Sequence, residues 1–202
     1  MGTQRRQTME RELAAFLRGQ TPLADELVLW GDMRLRARSY LIPNLPPLRY
    51  VTAVRAIVTH QGAVLVVRDP ERAHIWAGGR RQPSETVIQT LRREMLKETG
   101  WAVDGIVRLG FQHFQHLGPP PAAPAAYPYL YPDFLRAIYT AAPTQRVQAK
   151  PDAEGFGVST AFHPLSQVYT LNLTPGERCF LDAALQLRAT TPLALEEMQE
   201  LQ

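Results

Sequence analysis

Apolar side chains recur every second residue in some stretches of this chain and every three to four in others, and the alternation sketches an α/β protein. Val87, Ile88, Leu91 and Met95 share one stripe of a helical wheel. The stretch Ser84 to Thr99 therefore reads as an amphipathic helix, with an N-cap serine, an acidic first turn and Gly100 at its C-terminal end. Met9, Leu13, Phe16 and Leu17 carry the same spacing and predict a short helix that stops at Gly19. Near the other end, Thr174 and Glu177 are spaced as a capping box with Pro175 at the first helical position, which predicts a structural helix through TPGERCFLDAALQLRA.

The period-two stretches lie between these helices. Leu35, Ala37, Ser39 and Leu41 alternate with Arg34, Arg36, Arg38 and Tyr40, the pattern of a half-exposed edge strand that offers a pairing surface to a second subunit. IPNLPPL is a proline-rich linker into the main domain. YVTAVRAIVTH and AVLVVRD then make two β-rich runs joined by the Gln61-Gly62 turn. WAVDGIVRLGFQHF suggests a strand pair, DFLRAIYTAA a core strand, and VSTAFHPLSQV a late strand with its turn. The resulting division is an N-terminal extension at 1–48, a main domain at 49–189 and a tail at 190–202. Six prolines between Gly118 and Pro132 predict an extended loop, whose Tyr127, Tyr129 and Tyr131 suit either a base or sugar or the packing of their own domain.

Composition narrows the class. The 202 residues are 45% hydrophobic, enough for one good core, and no apolar run approaches the ~18 residues of a membrane span. Cys179 is the single cysteine, which excludes an internal disulfide, and MGTQRRQTMERELAAF has no long apolar segment of the secretory kind. A cytoplasmic protein with no membrane partner is the expectation. The formal net charge is +3 with scattered basic residues, 20 of the 22 being arginine, so a nucleotide is welcome while no nucleic-acid groove is indicated. His113 and His116 are three apart and would fall on opposite faces of a strand, which argues against a shared metal.

Chemistry concentrates between Gly79 and Trp101, in GRRQPSETVIQTLRREMLKETGW. Glu94 and Glu98 are one helical turn apart and border the apolar stripe. Two carboxylates so placed repel unless a cation joins them. Gly78-Gly79 lets the preceding loop bend closely around the helix start, where amide groups favour anions.

This run resembles the signature of the Nudix hydrolases, G-x5-E-x7-R-E-U-x-E-E-x-G-U, where U is a bulky apolar residue. Gly79, Glu85, Arg93, Glu94, Met95, Glu98, Gly100 and Trp101 match it, and Lys97 stands where the family has the first glutamate of its E-E pair. The resemblance implies a Nudix-like α/β/α sandwich with a mixed β-sheet behind the N-terminal extension. It also implies Mg²⁺ or Mn²⁺ held by Glu94 and Glu98, an Arg93–Glu85 pair that orients the helix, and hydrolysis of a diphosphate in a nucleoside diphosphate derivative. Family members often carry a further acidic residue upstream of the late strand, and Glu154 is the best match there, with Asp152 the weaker rival.

Lys97 leaves several outcomes open. Its ammonium replaces a metal's charge or bonds Glu94 and weakens ligation, or it simply points to solvent. Accordingly the chain hydrolyses with fewer metals and a base such as Glu154 or Glu98, or it is a nucleotide sensor or partner-binding protein on the same fold. A homodimer is compatible with either.

Overall fold

The computed structural model describes residues 10–42, 44, 46–70, 72–120, 129–147 and 159–190. Glu154, Asp152, Met9 and Tyr127 lie outside the described residues. Helix α1 (Arg11–Leu17) is followed by strands β1 (Ala24–Trp30) and β2 (Met33–Tyr40), a turn of 3₁₀ helix at Leu48–Tyr50, and strands β3 (Val51–His60), β4 (Ala63–Arg68) and β5 (Ala73–His74). Then come helix α2 (Val87–Thr99), β6 (Trp101–His116), β7 (Asp133–Arg146), β8 (Ser159–Pro164), α3 (Leu165–Val168) and α4 (Pro175–Thr190).

The strands form one curled, mixed sheet in the order β1-β2-β6-β7-β3-β4-β5, with β8 also pairing β4. β3 and β7 run parallel, and the other pairs are antiparallel. Helices cover both faces, because the period-two pattern of the central strands is apolar on each side. On one face α1 and α2 set Leu13, Leu91 and Met95 against Val54, Ala56, Phe111, Ala137 and Tyr139. On the other, Phe180, Leu181 and Ala184 of α4 lie against Ile57, Ile138 and Leu109. This is the α/β/α sandwich expected from the signature.

Several expectations are corrected. The strand at Met33–Tyr40 is not an edge: β1 and β6 hydrogen-bond its two sides, so it has no pairing surface left for a second copy. Its exposed arginines face solvent beside β1, where Asp25 takes a bidentate hydrogen bond from Arg36 at 2.7 and 2.6 Å. WAVDGIVRLGFQHF is one long strand, not two. Gly105 has φ +55° and the register slips between Asp104 and Val107, so the glycine makes a bulge where the sequence suggests a turn. Helix α2 is capped by Thr86, not Ser84: Thr86 Oγ1 accepts from the Gln89 amide while the Gln89 side chain accepts from the Thr86 amide. Glu85 therefore precedes the helix, and the first turn holds no acid. The Gln61-Gly62 turn takes positive φ at both residues, as a two-residue hairpin requires, and Thr174–Glu177 forms its capping box.

Candidate active site

The double-glycine loop is built onto the sheet. Val54 and Ala56 of β3 donate to the Gly79 and Ala77 carbonyls at 2.9 and 2.7 Å, and Arg81 donates back to Thr52. The loop thus behaves as an irregular extra strand along β3. Only glycine suits position 78, where φ is +124° and a Cβ would stand 2.5 Å from the Val54 carbonyl oxygen. At Gly79 a Cβ would collide with the Glu94 carboxylate.

Helix α2 then delivers the signature side chains against this loop. Its C-terminus closes on Gly100 in the left-handed conformation, whose amide donates to the Leu96 carbonyl at 3.0 Å. Arg93 reaches back to Glu85 with Nε at 2.5 Å and Nη2 at 2.8 Å, and a further Arg93 nitrogen contacts Glu94. Thr90 and the Gln82 amide complete the Glu85 cradle. Hydrogen bonds from Arg93 are the main cause that holds the Glu85 carboxyl down to about 2. The pair staples the loop to the helix.

Glu94 is almost fully buried, its carboxylate between Arg93 and the Gly79 backbone. Glu98 is half-buried. The Gly78 amide donates to one of its oxygens at 3.0 Å, and Arg55 of β3 stands 3.6 Å from the other. Burial raises the proton affinity of Glu98 and the charge of Glu94 raises it further, against the opposing pull of Arg55 and the Gly78 amide. Lys97 is exposed on the solvent side of α2, close enough to lower that proton affinity slightly.

Two hard carboxylates beside a glycine bend suit Mg²⁺ or Mn²⁺, which take a few carboxylates and complete their shell with water and phosphate oxygens. A cation between them would relieve both the desolvation and the mutual repulsion. Among the described residues, no three His, Cys, Asp or Glu side chains converge as a ligand set. His113 is buried with Nε2 2.7 Å from Asp133 Oδ1, while His116 packs on the Tyr131 and Phe134 rings, so these two histidines serve separate clusters.

Sequence reasoning missed Arg55, Arg72, Arg136 and Trp30. Arg55 and Arg136 each stand as the one cation inside an otherwise apolar strand run, and a charge so placed seldom goes unused.

The mixed sheet with helices on both faces defines an α/β domain. A model of the NUDIX domain matches residues 49–184, more than half of the chain, and the chain belongs to the Nudix family. Among solved structures, a mutant of the Bacillus subtilis pyrophosphohydrolase is similar at 15% identity and a TM-score of 0.52, over 78% of this chain and 92% of that one. A NUDIX hydrolase from Nitrosomonas europaea gives 19% identity and a TM-score of 0.47, over 66% and 87%. A putative family member from Chromobacterium violaceum gives 21% and 0.45, over 77% and 93%. Comparison with curated proteins gives no match. Among the described residues no helix is long and apolar enough to cross a membrane.

Proposed function

We propose that this protein is a divalent-cation-dependent hydrolase of a nucleoside diphosphate derivative. The observation that carries the reading is the Glu98 carboxylate, half-buried, anchored by the Gly78 amide and one turn from Glu94. Glu94 and Glu98 would hold Mg²⁺ or Mn²⁺, which when bound neutralises phosphate charge and acidifies water. The remaining work falls to the chain itself. Arg93, tied to Glu85, fixes the rotation of α2 and presses Glu94 toward the loop. The Gly78 amide sets the Glu98 carboxylate, and Arg55 lies ready to move from Glu98 to an incoming phosphate oxygen. Glu154, in the segment leading into β8, is proposed as a further catalytic carboxylate on the strength of its sequence position.

Release of a phosphorylated product from a panel of nucleoside diphosphate derivatives with Mg²⁺ or Mn²⁺ tests the proposal. Glu98→Gln keeps the shape and removes the charge, and should lower the rate by roughly a hundredfold or more. Undiminished activity in that variant sinks the assignment. A second reading, a nucleotide sensor with little or no turnover, draws support from Lys97 at the third acidic position and from the two-carboxylate site. Calorimetry showing saturable binding without product in either metal would favour it.

A further inference from the structure

On the side of the sheet that carries α4, Trp30, Arg55, Tyr129 and Arg136 are only partly buried. At the α4 N-terminus, Arg136, Gln112 and Ser39 sit side by side on neighbouring strands, with Ser39 and Gln112 buried against Gly176. Next to them, Trp30, Tyr129, Phe114 and Phe134 form one aromatic cluster, with Trp30 at 4.8 Å from Phe114 and Tyr129 stacked at 4.7 Å on Phe134. Phe114 and Phe134 are buried, whereas Trp30 and Tyr129 keep partial exposure and form its outer surface.

Arg136 joins the two halves. Its guanidinium lies 4.9 Å from the Trp30 ring centre and 5.0 Å from that of Phe114. Its Nε is shut off from solvent and has no hydrogen-bond partner among the described residues, and its best polar contact is a long one of 3.4 Å to Gln112. No carboxylate forms an ion pair with it among the described residues. Glu177 is committed to Arg72 through two hydrogen bonds of 2.9 and 3.2 Å. Burial pushes the Arg136 pKa down to about 9, and the charge of Arg55 adds to the effect against the opposing pull of Tyr129 and Glu177. A guanidinium held among other cations without a counter-charge is a seat for an anion. Arg55, which faces Glu98, connects this seat to the candidate metal site.

The geometry points to this partly exposed patch as the seat of the nucleotide, with Arg136 and Arg55 holding its phosphates and Trp30 with Tyr129 stacking its base. The assignment rests on the hydrolase reading for which end of the ligand meets Glu98. From β3 to β1 there are four strand spacings, about 19 Å, a span suited to a nucleoside diphosphate carrying a further group. Trp30 belongs to the β1–β2 hairpin, which lies outside residues 49–184. Stacking of the base thereby falls to a part of the chain that the family-wide domain does not include. Stacking tolerates every base, so Trp30 supplies affinity without choosing among bases.

Calorimetric titration of the full chain with ADP, GDP, UDP, CDP and inorganic pyrophosphate, in Ca²⁺, tests this without needing turnover. At least one nucleotide should bind more tightly than pyrophosphate. Arg136→Gln should weaken both kinds of ligand by roughly tenfold or more. Trp30→Leu should weaken the nucleotide by about fivefold or more and leave pyrophosphate unchanged, and Trp30→Phe should restore most of the loss. Unchanged binding in Arg136→Gln, equal losses of both ligands in Trp30→Leu, or no nucleotide binding at all would overturn it. So would a dimer in light scattering that Trp30→Leu dissolves, because the patch would then be the seat of a second copy. The hydrolase reading fails separately: wild-type binding without product in Mg²⁺ or Mn²⁺ removes turnover and upholds the seat, and hydrolysis with KM unaltered in both variants does the reverse.

Discussion

The two faces of the sheet are held by different means. On the α2 side the polar contacts that frame the signature are mostly local: Glu85–Arg93, Thr86–Gln89 and Gly78–Glu98 join residues no more than 20 apart, while Arg55–Glu98 reaches farther. On the α4 side several buried polar groups have remote partners. Ser39 and Gln112 are 73 residues apart, Arg72 and Glu177 105, and Glu26 and Gly176 150. Local contacts fix the candidate site largely with its own helix, whereas remote ones make a surface that exists only after the whole sheet has closed.

The contrast can be broken by substitution. Leu91 is fully buried under α2, and Leu91→Ala should lower unfolding free energy by about 2–5 kcal/mol, read as a shifted denaturant midpoint. A loss well below that range would mean that α2 is not cemented by its apolar stripe. On the opposite face, Glu177→Ala removes a bidentate partner of Arg72 and half of the α4 capping box. Arg72 is 40% exposed, so solvent replaces part of the loss and about 1–3 kcal/mol is expected. A double variant with Leu91→Ala should show near-additive losses if the two faces are independent.

The smallest expected effect is one of pH. The Glu85 carboxyl is depressed from its ordinary 4.5 to about 2, so the charged form is favoured in the folded state. Its contribution is complete above pH 4.5 and is lost as pH falls toward about 2. Thermal midpoints measured across that window should decline in the wild type and decline less in Arg93→Gln, which removes the cause. Parallel profiles would show that the staple contributes nothing.

The same division explains what could be read from residue order. Gly79, Glu85, Arg93, Glu94 and Glu98 lie in one run, and spacing alone aligns them on one helix and its loop. The Thr174–Glu177 box and the Gln61-Gly62 turn were legible for the same reason. Misreadings arose where two local solutions compete. Ser84 and Thr86 both suit a cap, and the Gln89 side chain that completes the box decides for Thr86. Gly105 suits a turn as well as a bulge, and pairing with β7 on both sides of it decides for the bulge. The exposed arginines of β2 resemble an edge because one of its faces is solvated, yet both its hydrogen-bonding sides are taken. Arg136 beside Trp30 was beyond reach, since 106 positions along the chain (136 − 30) separate them and only strand order brings them together.

Strand order also governs how the molecule can be shortened. β2 covers one side of β6 from Phe111 to His116. A fragment trimmed to begin at residue 49 would retain the carboxylates and the glycine bend but leave the amides and carbonyls of that edge bare. Such a margin recruits other chains, so the fragment would clump before its chemistry could be assayed.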